Sequence, residues 1–157
     1  MRPAPRSFED FQVGLRFRSP HEIRVTAERI RGFAAEFDPQ PFHLDEDAGP
    51  GAFFAGLVAS GWHTAAVAMR LIVDSDLGLD GRGAGVGAES MRWPRPVRPG
   101  DSLRVEGVAT ETRPSHSRAD RGIVKFQATA YNQRNEAVLE ATHVVMALRR
   151  GAGPGGR

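Results

Sequence analysis

The chain has 157 residues, 40% of them hydrophobic and 25% charged, which suits one domain with a real core and is short for two. Cysteine is absent, which rules out disulfides and thiolate metal sites. No apolar run approaches the ~18 residues that span a bilayer, and the start, MRPAPRSFED, lacks the apolar core of a signal peptide, so a cytoplasmic protein without a membrane partner is expected. The formal net charge is only +2 although 20 of the 21 basic residues are arginine. These arginines are scattered rather than clustered, which argues against a nucleic-acid surface and leaves room for a small anionic ligand.

Both ends, residues 1–7 and 150–157, are rich in Pro, Gly and Arg and are expected to be loose around one domain spanning 8–149. Residues 15–25 read as extended pieces broken at Pro20. A short helix follows, with Thr26 as its N-cap, Glu28 in its first turn, and Ile30, Phe33, Ala34 and Phe37 on one face. Pro39 pushes Asp38 out of the helical region, and Pro41 is expected to leave His43 on a stiff, extended arm. The longest helix is predicted over 60–78, capped by Ser60 and ended by Gly78, with Ala65, Ala66, Met69, Ile72 and Val73 as its buried stripe. So apolar a helix is expected to be wrapped on most sides.

The period then changes. Segments 85–93, 101–113, 122–133 and 137–148 read as strands; Val124, Phe126, Ala128 and Ala130 alternate with Lys125, Gln127 and Thr129. Turns are predicted at 96–101, around Pro99-Gly100, and at 132–136. The sum is an α+β fold: a long central helix wrapped by an antiparallel sheet.

The chemistry-bearing stretch is EFDPQPFHLDED, residues 36–47, where an aspartate and a histidine stand five positions apart with two prolines between them. A carboxylate and an imidazole held rigidly can grip one water and move its protons. Together with FAGLVASGW and RPVRPGDSLRVEGVA, this stretch resembles the MaoC-like dehydratases, which include the (R)-specific enoyl-CoA hydratases, and the resemblance covers about residues 8 to 148. It implies a single hot dog domain. It also implies that Asp38 and His43 are the catalytic pair, and that Gly61, 18 residues after His43, donates its backbone N–H to the thioester oxygen. Pro41 and Asp45 match the motif; Gln40 replaces its asparagine, Phe37 its preceding glycine, Ser60 a frequent histidine, and Met69 a serine of some hydratases.

The implied reaction adds water to C3 of a trans-2-enoyl-CoA and a proton to C2, giving a (3R)-3-hydroxyacyl-CoA. Neutral His43 can act as base and Asp38 can orient the water and return a proton, with the roles shareable or reversible. Gly61, at a capped helix start, offers an unpaired N–H to the oxyanion, and glycine permits close approach. Gln40, Ser60, Trp62, Arg92, Arg95 and Arg98 are the candidate substrate-contacting residues, the three arginines facing the phosphates of coenzyme A. No cofactor beyond the substrate's own coenzyme A, no metal and no nucleic acid are implied; a homodimer or higher oligomer is. His63 reads as packing or pocket wall, and Phe53, Phe54, Leu57 and Val58 as core or acyl tunnel. A thioesterase on the same fold and a non-catalytic acyl-CoA-binding protein are the alternatives, the first weakened because 61–73 contains no Asp or Glu.

Overall fold

The computed structural model describes residues 4–79 and 81–153. In chain order these form a 3-10 turn (Phe8–Asp10), β1 (Arg16–Arg18), β2 (Ile23–Arg24), α1 (Ala27–Phe37), α2 (Pro41–Leu44), α3 (Gly61–Asp74), β3 (Gly83–Arg92), β4 (Ser102–Pro114), β5 (Arg121–Tyr131) and β6 (Ala137–Leu148). The strands make one antiparallel sheet in the order β1-β4-β5-β6-β3, with β2 also on β4. This is the hot dog architecture, with α3 lying against the sheet.

The alternating pattern of β5 sets its burial. Val124, Phe126, Ala128 and Ala130 point into a core shared with Leu103 and Val105 of β4 and Leu139 and Val145 of β6. The α3 side of that core is Val67, Ala68, Leu71 and Ile72, residues at i, i+1, i+4 and i+5 that share one helical face. Burying a side chain such as Leu71, fully inaccessible here, contributes roughly 1.5–3 kcal/mol.

Three expectations are corrected. The buried stripe of α3 is only partly the predicted one: Ile72 is buried and Ala65 packs against the core, but Met69 is 44% and Val73 57% exposed, and Ala66 is exposed as well. The helix is apolar nearly all round, so periodicity does not choose a face; the sheet chooses it, and one apolar face is left uncovered. The helix also ends at Asp74 rather than near Gly78, because the Ser75 hydroxyl donates to the Ile72 carbonyl and accepts the Leu77 N–H, closing the last turn early. His43 stands on a helical turn rather than an extended arm. Pro41 is at the first position of α2, where its preset φ favours the helix and its missing N–H costs nothing.

The expected turns are present. Gly100 adopts φ +92° beside Asp101, and Asn132 bridges the β5–β6 hairpin by accepting the N–H groups of Arg134 and Glu136. Residues 1–3 and 154–157 of the expected loose ends lie outside the described residues; within them, the Arg6 N–H donates to the Gly78 carbonyl, and the Arg150 guanidinium to Asp10. Among the described residues no helix is long and apolar enough to cross a membrane.

Candidate active site

Asp38 is the C-cap of α1, its N–H still bonded to the Ala34 carbonyl. Two residues of turn and the short α2 then bring His43 back toward it. His43 Nε2 lies 3.4 Å from Asp38 Oδ2, with the imidazole buried and the carboxylate about a quarter exposed. The other ring nitrogen, Nδ1, is 2.7 Å from the Val58 carbonyl oxygen. A carbonyl can only accept, so Nδ1 carries the proton, and in the neutral ring Nε2 is left with its lone pair directed at the Asp38 side. A single water beside the pair can donate one O–H to Nε2 and the other to the carboxylate.

The segment entering α3 positions the rest. The Val58 N–H bonds to the Phe42 carbonyl and the Ala59 N–H to the Val97 carbonyl, which fixes the backbone just before the helix. Ser60 caps α3, its hydroxyl oxygen accepting the Trp62 N–H. The same hydroxyl donates to Asp38 Oδ2 at 2.7 Å. Gly61, the first helical residue, has an N–H with no intrahelical partner, by the geometry of any helix start.

Gly61 and His43 both line a cavity of about 390 Å³ whose walls are otherwise mainly apolar, including Phe42, Phe53, Phe54, Trp93 and Val97. Arg95 is the one arginine among its lining residues. Of the other residues singled out in the sequence, Asp38 is partly exposed and is not among these wall residues, Ser60 is fully buried, and Gln40 and Trp62 are exposed and do not line the cavity. Arg92 is paired with Glu140 at 3.2 Å, and Arg98 donates to the Ala55 carbonyl at 2.6 Å. Of the three arginines, Arg95 alone lines this cavity, while Arg92 and Arg98 are held by protein partners.

Two contributors carry no sequence signal of their own. The Val58 carbonyl fixes the His43 tautomer from 15 positions away. Trp93 covers the helix start, its indole N–H donating to the Gly61 carbonyl at 2.8 Å. His63, one turn into α3, is stacked on Phe33 with ring centroids 4.9 Å apart, and among the described residues its buried Nδ1 has no hydrogen-bond partner. Burial, with a smaller push from the Arg29 charge, holds its pKa below the ordinary imidazole value. It is a packed residue of the α1–α3 contact and does not line the cavity. No group of three or more potential metal ligands occurs among the described residues.

The family model described as MaoC like domain matches residues 10–132. The chain belongs to this family. Over 141 residues it is 30% identical to the uncharacterized protein YdeM of Bacillus subtilis, covering 90% of this chain and 98% of that one. Its fold is similar to the crystal structure of a MaoC-like dehydratase from Rhodospirillum rubrum, with TM-score 0.86, 50% identity, and 94% and 99% of the two chains covered. The fold is also that of the R-hydratase PhaJ1 from Pseudomonas aeruginosa, at TM-score 0.73 and 22% identity, over 96% and 95% of the chains.

Proposed function

We propose that the protein is a hydratase/dehydratase that interconverts a trans-2-enoyl-CoA and a (3R)-3-hydroxyacyl-CoA. The observation that carries this reading is the polarity of the pair: Nδ1 of His43 is committed to a carbonyl, so the free lone pair on Nε2 faces Asp38. In hydration, Nε2 takes a proton from water while the water oxygen bonds to C3. The C2=C3 electron pair moves toward the thioester, and the negative charge gathers on the thioester oxygen. The Gly61 N–H is the donor for that oxygen, and such a donor is typically worth about 10²–10³ in rate. The carboxylate of Asp38 stabilises the imidazolium, and the pair returns one proton to C2, so none is consumed overall. Dehydration is the same path reversed. Coenzyme A takes part only as the thiol of the substrate.

We infer further that the working unit is a homodimer. Among the described residues β3 pairs with β6 alone and its outer edge is open, and its side chains are almost all exposed. Trp62, Met69 and Val73 on α3 and Val86 on β3 add uncovered apolar surface. An open edge beside such a surface supports pairing with a second copy.

The test is hydration of a short trans-2-enoyl-CoA by the wild type and Asp38→Asn, with product stereochemistry resolved. Turnover to the (3R) product, lost in the variant, supports the reading. Absence of turnover across short, long, branched and dicarboxylic enoyl-CoAs overturns it.

A further inference from the structure

One short stretch, Val58 to Trp62, touches both members of the pair. The Val58 carbonyl accepts from His43 Nδ1 at 2.7 Å. Two residues on, the Ser60 hydroxyl donates to Asp38 Oδ2 at 2.7 Å and accepts the Trp62 N–H at 3.2 Å. Ser60 is 0% exposed, so no water competes for that hydroxyl. Its one proton is given to Asp38, and the Trp62 amide takes up acceptor capacity on the same oxygen. The hydroxyl therefore has no freedom to rotate without losing a buried bond, which is costly.

The line of contacts continues at both ends. The peptide that supplies the Trp62 N–H is the one whose carbonyl accepts from the Trp93 indole. On the far side, Asp38 Oδ2 meets His43 Nε2 at 3.4 Å. Hydrogen bonds linked in this way polarise one another in the same sense. Here the sense runs from Trp93 through the helix-start peptide and Ser60 to the carboxylate.

We propose that Ser60 is a positioning residue. It pins one carboxylate oxygen of Asp38 beside His43 and thereby leaves the other, Oδ1, as the oxygen that takes the reacting water. Asp38 sits at the end of α1 with φ −153° and ψ 69°, outside the helical region. Oδ1 accepts no hydrogen bond among the described residues. Ser60 replaces a direct role at the substrate with an indirect one: it is sealed from the cavity and acts through Asp38.

The rate part of this proposal rests on the hydratase reading, and its geometric part does not, so two measurements are paired. In the first, kcat and KM are measured for Ser60→Ala, Ser60→Thr, Asp38→Asn and the Ser60→Ala/Asp38→Asn double variant, below the unfolding range of each. Ser60→Ala is expected to lower kcat by about 10-fold or more with KM within about twofold, as for an interaction that acts on the transition state. Threonine keeps the hydroxyl and is expected to recover most of that loss. In the Asp38→Asn background the alanine change is expected to cost nothing further. A Ser60→Ala enzyme with wild-type kcat overturns the proposal, as does an alanine penalty that is the same with and without Asp38, since that is what a helix cap alone would give.

The second measurement is a crystal structure of Ser60→Ala. Rotation of the Asp38 carboxylate away from His43 is expected. A carboxylate still seated 3.4 Å from Nε2, as in the wild type, overturns the proposal whatever reaction the protein catalyses. If the wild type hydrates no enoyl thioester, the hydratase reading falls, and this structure still decides the role of Ser60.

Discussion

The indole of Trp93 packs directly against Gly61. A Cβ at position 61 would stand 2.8 Å from the indole Cε2 and 3.1 Å from two further ring atoms, and the ring is tethered by its N–H to the Gly61 carbonyl. The glycine therefore answers two demands at one place: an open N–H at the helix start and room for the ring. The ring is further held edge-on against Trp62, with centroids 5.5 Å apart. Gly61→Ala forces it to move, despite alanine's better helix propensity. Overpacking of this kind costs about 1–3 kcal/mol, so a lower urea midpoint and altered tryptophan emission are expected. Adding Trp93→Leu relieves the crowding, so the double variant is expected to be more stable than the sum of the two single effects. Simple additivity would show that ring and glycine do not oppose each other.

The pairing of Asp38 with His43 gives the most direct prediction. Asp38→Asn keeps an oxygen that can accept from Ser60 and loses the charge. His43→Ala removes the base and leaves the Val58 carbonyl without its donor. Each is expected to lower kcat for enoyl-CoA hydration by about 10²–10⁴. The histidine variant should also be less stable by roughly 1–3 kcal/mol, a cost the asparagine variant should largely escape. Wild-type rates in both would remove these residues from the reaction.

Legibility in the sequence followed the range of the interaction. Strands β4 to β6 could be read because alternation is local: each of Val124, Lys125 and Phe126 declares its own face. The buried face of α3 could not, because Ala, Val, Met and Ile surround the helix, and only contact with the sheet selects Val67 and Leu71 over Met69 and Val73. Pairing of Asp38 with His43 was legible through the resemblance to the family motif and the spacing to Gly61, since an aspartate and a histidine around two prolines equally suit an ordinary loop; Pro41 in fact starts a helix instead of extending an arm. The link from Ser60 to Asp38 crosses 22 positions and follows no periodicity, so nothing short of the fold reveals it.

Two histidines, His63 buried and His143 partly buried, make stability depend on pH. Burial lowers the pKa of His63, with the Arg29 charge adding to it, and burial lowers that of His143, which is stacked on Phe126. The unfolded chain then binds protons more readily than the folded one below the ordinary imidazole value of about 6.5. Their contribution to stability is complete above that pH and is lost as pH falls through the depressed folded values. The urea midpoint is therefore expected to fall between pH 7.5 and pH 5. His63→Phe keeps the stack on Phe33 and removes a buried, unpartnered nitrogen, so this loss should be smaller in the variant. An equal loss in His63→Phe would place the acid sensitivity elsewhere.

The three arginines of MRWPRPVRPG should separate by what each one touches. Arg95 lines the cavity, and its nearest bond is a long one, 3.4 Å to the Ala137 carbonyl. Its guanidinium can turn to an anionic group of the substrate. Arg92 is spent on Glu140 at the surface, a pairing of little consequence there. Arg98 fastens the Ala55 carbonyl, and with it the loop that carries Phe53 and Phe54 into the cavity wall. Arg95→Ala is expected to raise KM for acyl-CoA by about 10-fold, roughly the cost of losing one charge-assisted bond, with kcat nearly unchanged. Added salt should blunt the difference from wild type, since an exposed charge is screened. Arg92→Ala should leave both constants within about twofold. Arg98→Ala should change kcat and KM together, because the displaced loop alters the walls around bound substrate. Removing the 3′-phosphate from the coenzyme A moiety then identifies the anion. If Arg95 faces that phosphate, dephospho-CoA thioesters lose the same factor on the wild type and nothing more on the variant. A full additional loss on the variant would assign Arg95 to another anionic group of the substrate.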